Sequence, residues 1–175
     1  MKSLQASEDY GLARYQTVQN NFSVFNRRVE SELAQVLKKE EVSLLPYSPL
    51  GGGVLTGKYN TDNLPEGARF TGYLKGPKRQ RNMAERYIND RSLKFIDRFL
   101  EIAQAAEISP AGLALAWSKQ HEYVASTIFG ANSVEQFDDA MTGADYLIPR
   151  EIIKKLNQLD QDIPLALRED GLRKL

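Results

Sequence analysis

Leu45-Pro46-Tyr47-Ser48-Pro49-Leu50-Gly51-Gly52-Gly53-Val54-Leu55-Thr56-Gly57-Lys58-Tyr59 decides the reading of this chain. It overlaps Glu41-Val42-Ser43-Leu44-Leu45, an apolar run that predicts a strand ended by Pro46. Glycines just beyond a strand let backbone approach a phosphate with no side chain in the way, and Lys58 adds a positive charge. In parallel α/β folds, ligands bind beyond the C-terminal ends of the strands. A flexible surface loop has a similar composition. The site reading is favoured because a ring (Tyr47), a hydroxyl (Ser48), glycines and a lysine cluster together. Gly52 to Lys58 also matches the opening of the phosphate loop G-x-x-x-x-G-K-[ST]. The next position is Tyr59, which cannot supply the magnesium-binding hydroxyl. Asn60-Thr61-Asp62-Asn63-Leu64-Pro65 is turn chemistry where a helix should start. Both points argue against a phosphate-loop nucleotide-binding protein.

Upstream, Tyr15-Gln16-Thr17-Val18-Gln19 predicts a strand stopped by Asn20-Asn21, and residues 1–14 read as a short helix. Gln19 at the strand end can donate and accept together, which suits another amide, although a polar turn has the same letters. Glu30 to Lys39 predicts a helix with Leu33, Val36 and Leu37 on one stripe and Lys38-Lys39 at its dipole-favoured end.

Downstream, residues 46–90 are rich in glycine and proline and read as one long irregular segment. Its Lys75, Lys78, Arg79, Arg81 and Arg86 lack interleaved aromatics and read as a solvated lid rather than a nucleic-acid site. Helices are predicted over 91–106, from Ser109-Pro110, from Ser133 and from Pro149. Val124 to Phe129 predicts a third strand. Ile128-Phe129-Gly130-Ala131-Asn132-Ser133-Val134-Glu135-Gln136 runs from that strand into a capped helix, whose free N–H groups and dipole suit an anion. His121, the single histidine, falls at a polar helix end and reads as structural or exposed, not catalytic.

Strands alternating with helices argue for parallel βαβ units. The chain has 175 residues, the size of one domain, with residues 1–163 forming it and 164–175 a frayed tail. A complete (β/α)8 barrel takes about 250 residues, so this chain is not one. Lys+Arg and Asp+Glu balance at 23 each, giving no whole-domain argument for nucleic acid or an anionic membrane. The absence of cysteine excludes disulfides, thiolate metal sites and cysteine nucleophiles. With no apolar run of membrane-spanning length and no apolar leader segment, a soluble cytoplasmic protein is expected.

Three segments together resemble the aldo-keto reductase family: Gln19-Asn20-Asn21-Phe22-Ser23-Val24-Phe25-Asn26-Arg27, Leu45 to Tyr59, and Ile128 to Gln136. They are similar to the sixth, seventh and eighth strands of its barrel with the loops that follow. The subtype is similar to the bacterial reductases and the potassium-channel β-subunit branch. The implied fold is the C-terminal part of a (β/α)8 barrel, about three parallel strands with helices and not closed on its own.

The resemblance implies NADP(H). Gln19 would hold the nicotinamide carboxamide and Tyr47 would stack on the ring. Ser48, Pro49, Leu50, Gly51 and Gly53 would line the pyrophosphate, with Lys58 and Arg69 meeting the adenosine phosphates. Gly130, Ala131, Asn132 and Gln136 would hold the 2′-phosphate end and adenine, with Asp139 at the edge of the base. Phe22 would face the carbonyl substrate. Asp139-Ala140 replaces the family's usual Glu-Asn, and Asn132 stands where serine or lysine is common, which leaves NADPH against NADH open.

The family's Asp, Tyr, Lys and His tetrad comes from strands before the equivalent of Gln19, so no catalytic residue is assigned here. The expected partners are the missing N-terminal half, or a second copy joined through open sheet edges. The alternative is a non-catalytic module that senses nucleotide or binds a partner.

Overall fold

The computed structural model describes residues 2–61 and 63–164. Helix α1 (Lys2–Asp9) leads to strand β1 (Thr17–Asn21), and helix α2 (Leu33–Lys39) to strand β2 (Ser43–Tyr47). A 3-10 turn over Gly51–Thr56 follows, then α3 (Arg69–Leu74), α4 (Lys78–Tyr87), α5 (Asp90–Ala105), α6 (Pro110–Lys119), α7 (Val134–Met141) and α8 (Arg150–Asp162). β1 and β2 pair in parallel, with Thr17 opposite Ser43 and Asn21 opposite Tyr47. With α2 between them they form the expected βαβ unit.

Both strands begin and end about two residues later than the sequence suggests. Pro46 does not end β2; it lies inside it, opposite Asn20. The expected third strand is only partly built. Leu44 N–H donates to Tyr123 C=O at 2.6 Å, and Leu44 C=O accepts from Ala125 N–H at 3.0 Å. The next ladder bond comes from Ile128 N–H to Pro46 C=O at 3.2 Å, one residue later than a regular parallel register requires. Pro46 has no N–H to give at this point, so the offset falls where a ladder bond is already lost. Proline inside a sheet is tolerated at such bulges. Residues 124–129 therefore track β2 without forming a regular strand among the described residues.

The segment 46–90 is also more ordered than expected. It holds the 3-10 turn, α3 and α4. The basic stretch reads as a loop because α4 is polar all round, burying only Ala84 and Tyr87. Lys78, Arg79, Arg81 and Arg86 thus stand on a helix, the first three exposed to solvent as expected.

α5 shows plainly how sequence makes structure. Asn89 accepts from the N–H groups of Arg91 and Ser92, while the Ser92 hydroxyl accepts from Asn89 N–H at 3.0 Å, a reciprocal cap. Phe95, Ile96, Phe99, Ile102 and Ala103 then recur at helical spacing and are all buried. α5 packs on α6, α8 and the 3-10 turn. α6 starts at Ser109, whose hydroxyl accepts from Gly112 N–H at 2.9 Å. It is buried from Ala111 to Ser118. The backbones of Gly112 and Gly143 touch, with no room for a Cβ on either. The core runs from Phe22 and Leu44 through Leu55 and Phe70 to Phe95, Phe99, Leu113, Trp117 and Leu156. Of the expected C-terminal tail only Pro164 is described; the rest lies outside the described residues.

Candidate functional site

Parallel pairing puts opposite residues on one face of a sheet. Leu44 is fully buried against the helices, so Ser43, Leu45 and Tyr47 point to the other face, with Thr17, Gln19 and Asn21 beside them. Gln19 and Tyr47 therefore share this open face, one diagonal step apart. Both are exposed, Tyr47 by 45%. The neighbouring Asn21 is fixed by its amide donating to the Tyr87 hydroxyl at 3.2 Å.

Beyond Tyr47 the backbone turns left-handed at Ser48 (φ 57°) and again at Gly51, Gly52 and Gly53 (φ 58°, 68° and 93°). Such a run is costly for side-chain-bearing residues, which explains the glycines. Gly51 N–H donates to Ser48 C=O and Gly53 N–H to Leu50 C=O, both at 2.9 Å. Those two amides thus hold the turn itself, and the glycines contribute close approach. A Cβ on Gly52 would lie 2.6 Å from the Phe70 ring, and one on Gly53 would lie 2.9 Å from Lys58 Nζ. The Lys58 ammonium is thereby held over the turn, 5.3 Å from the centre of the Tyr59 ring. Arg69, at the start of α3, is exposed, with its guanidinium 5.4 Å from the Tyr73 ring centre. It is tied to the turn through Phe70, whose N–H donates to the Tyr59 hydroxyl at 3.1 Å.

Gly130, Ala131 and Asn132 are exposed and lead into α7. Ser133 accepts from Gln136 N–H at 3.3 Å, but the Gln136 carboxamide oxygen accepts from Asn132 N–H at 3.0 Å. The reciprocal bond thus reaches the residue before Ser133, a capping box displaced by one residue. It fixes Asn132 and occupies one end of Gln136. Asp139 is exposed on α7, and its backbone carbonyl accepts from Ser109 and Thr142. Among the described residues, no hydrogen bond or ion pair joins Gly130–Asp139 to Lys58 or Arg69. The two groups are related only through the sheet, where Ile128 hangs on Pro46 beside Tyr47.

Phe22 departs from its expected role. It is fully buried, with ring centres 5.0 Å from both Trp117 and His121 and 6.0 Å from Tyr123. It presents no surface to a substrate, because the chain folds back beyond β1 and carries the ring onto α6. His121 belongs to the same cluster and is structural, its Nε2 3.3 Å from Glu30 Oε1.

Arg27 lies beside it, a residue with no function assigned from the sequence. Its guanidinium sits 4.6 Å from the Trp117 ring centre and donates to Asn157 Oδ1 at 2.7 Å and to Leu156 C=O at 3.0 Å. Its Nε is buried without a partner. Burial lowers the Arg27 pKa, with the charges of Glu30 and Asp160 opposing the shift. Burial likewise raises the Asp160 pKa against the pull of Arg27, and raises that of Tyr123. A cleft of about 360 Å³ opens here between Phe25, Arg27, Glu30 and Asp160. None of its lining residues is a predicted site residue.

The aldo/keto reductase family model matches residues 2–161. The chain belongs to this family. Protein tas of Escherichia coli K12 is 32% identical over 161 residues, 92% of this chain and 44% of its own. A probable voltage-gated potassium channel subunit beta of Oryza sativa subsp. japonica is 34% identical over 149 residues, 83% of this chain and 44% of its own. An L-glyceraldehyde 3-phosphate reductase of Escherichia coli O157:H7 is 30% identical over 146 residues, 83% of this chain and 40% of its own. This aldo/keto reductase chain thus spans less than half the length of the curated relatives it matches. Its family is one of oxidoreductases built on the (β/α)8 barrel. The two paired strands with their helices are a fragment of that architecture, with an open sheet. Among the described residues no helix is long and apolar enough to cross a membrane.

Proposed function

We propose that this chain is the NADP(H)-binding, C-terminal part of a cytoplasmic aldo/keto reductase that converts aldehydes and ketones to alcohols. The observation that carries the reading is the Lys58 ammonium held across Gly53, where a Cβ would collide with it. A cation over a turn that has no side chain fits a pyrophosphate. Gln19 and Tyr47 on the open face fit the nicotinamide end, the first by its carboxamide and the second by its exposed ring. Arg69 extends the positive charge, and Gly130, Asn132 and Gln136 at the start of α7 serve the adenosine end. Bound NADPH supplies the hydride.

The chain's own residues bind and orient the cofactor, and none among the described residues is placed to give the alcohol its proton. Tyr47 presents its ring as a platform, and Tyr59 is buried with its hydroxyl accepting from Phe70 N–H. The Asp, Tyr, Lys and His tetrad would come from the rest of the barrel, so the isolated chain binds without turning over. The chain then needs the remaining strands or a second copy to cover its sheet.

Titration of NADPH fluorescence tests the reading. Wild type should quench or enhance the signal saturably, and Lys58→Ala should weaken binding at least tenfold. Equal binding by both proteins would overturn it.

A further inference from the structure

The charges of this chain balance overall but are segregated around the candidate site. Between Glu66 and Glu85 stand Arg69, Lys75, Lys78, Arg79 and Arg81, with no carboxylate among them. They lie on or beside α3 and α4, which pack on each other, with α4 against the glycine turn. Between Lys119 and Arg150 there is no lysine or arginine, and the carboxylates are Glu122, Glu135, Asp138, Asp139 and Asp145. Asp138 and Asp139 follow Glu135 by three and four residues on α7, so the three form one exposed acidic stripe that begins in the first turn. None of them is in an ion pair among the described residues.

The start of α7 is also already occupied. Free N–H groups and the helix dipole make such a start attractive to an anion, but side chains of the chain itself take that place. Gln136 Oε1 accepts from Asn132 N–H at 3.0 Å, and Ser133 Oγ accepts from Gln136 N–H at 3.3 Å. The Glu135 carboxylate is hydrogen-bonded by the Ser133 hydroxyl and by its own backbone N–H, which hold its pKa below the usual 4.5. Glu135 therefore stays ionised at neutral pH and sits where the helix favours negative charge.

We propose that Glu135, with Asp138 and Asp139 behind it, keeps this chain from selecting a 2′-phosphate, so that NADH binds no less tightly than NADPH. This deepens the cofactor reading above and rests on it, since that reading puts the adenosine end at the start of α7. The two cofactors share the pyrophosphate that suits Lys58 and Arg69. They differ at the 2′ position, where a phosphate adds a charge of about −1.5 to −2 and a hydroxyl adds none. A phosphate at α7 finds no cation in the segment that builds the helix, and it meets a carboxylate already in the anion's place. A hydroxyl meets no such repulsion. Specificity is a difference of affinities, and a like charge set against one ligand is one way to make it.

The reduced nicotinamide fluoresces in both cofactors, so titrating the purified chain with NADH and with NADPH gives the ratio of their dissociation constants. Wild type should bind NADH at least as tightly as NADPH. Glu135→Gln should raise affinity for NADPH relative to NADH at least threefold, and Glu135→Lys at least tenfold. Salt screens exposed charges. Added salt should therefore shift the wild-type ratio toward NADPH, whereas a cation holding the phosphate would shift it toward NADH. The wild-type ratio and its salt dependence need no variant. Tighter binding of NADPH by wild type, a ratio that Glu135→Gln leaves where it was, or a ratio that moves toward NADH with salt would each overturn the proposal and leave the cofactor reading in place. Binding of neither cofactor would overturn both.

Discussion

Lys58 lies across Gly53. A Cβ on the glycine would stand 2.8 Å from Lys58 Cε and 2.9 Å from its Nζ. One of the two must give way if the glycine gains a side chain, and the lysine head is the softer. Gly53→Ala should therefore displace the ammonium and lower NADPH affinity by a factor similar to Lys58→Ala. The double variant should bind no worse than either single one, because both remove the same contact. Fluorescence titration of the three variants measures this, and additive losses would contradict it.

Gly52 meets a harder neighbour. Its Cβ would lie 2.6 Å from Phe70 Cζ, and Phe70 is packed between Tyr59 and Tyr87. The ring cannot swing away as a lysine can, and φ is 68°. Gly52→Ala should cost about 2–3 kcal/mol of stability. A denaturant midpoint unchanged from wild type would show that the turn adapts.

Phe22 should matter to the fold and not to a substrate. Phe22→Ala should lose about 3–5 kcal/mol, the range for a buried ring that leaves a cavity. Denaturant titration followed by Trp117 fluorescence suits the measurement, since the two rings are 5.0 Å apart.

Asp160 carries a pH signature. Burial raises its pKa above the usual 3.8. A carboxyl with a raised folded-state pKa holds its proton better folded than unfolded, so stability falls as pH rises from the unfolded pKa through the folded one. Asp160→Asn should remove that loss, stabilising the chain at pH 7 and making no difference well below pH 3.8. The group is partly exposed, so the gain should stay under about 1 kcal/mol. Destabilisation at neutral pH would mean that its attraction to Arg27 prevails over burial.

The isolated chain should not reduce 4-nitrobenzaldehyde with NADPH. General acid catalysis typically contributes 10²–10⁴-fold, and in the proposed reading no group among the described residues provides it. Loss of absorbance at the NADPH band by the pure chain, abolished by Tyr47→Ala, would refute this. Activity should appear once the rest of the barrel is supplied.

Much of this was legible in the sequence. The placing of Gln19 and Tyr47 toward the ends of paired strands, with a glycine turn beyond, was legible because strands and glycine runs leave local marks. The missed features depend on distant partners. Pro46 reads as a terminator, and it stays inside β2 because the segment after Tyr123 shifts by one residue to pass it. α4 has no apolar stripe, yet it is held by Ala84 and Tyr87 against α3 and the 3-10 turn. Phe22 stands next to candidate site residues in the chain, and only the fold back toward α6 shows where its ring goes. Arg27 gives no sequence signal, because its partners Trp117, Leu156 and Asn157 are all remote.

The ladder bonds on the two sides of Leu44 differ in how they are reached during folding. β1 meets β2 across little more than α2, whereas Tyr123 and Ala125 reach Leu44 only after α3, α4, α5 and α6 intervene. Closing a loop roughly three times longer costs about 1 kcal/mol more in chain entropy. The third segment should thus zip up last and open first. In native-state hydrogen exchange, the amide of Ala125 would lose its protection before those of the β1–β2 pair.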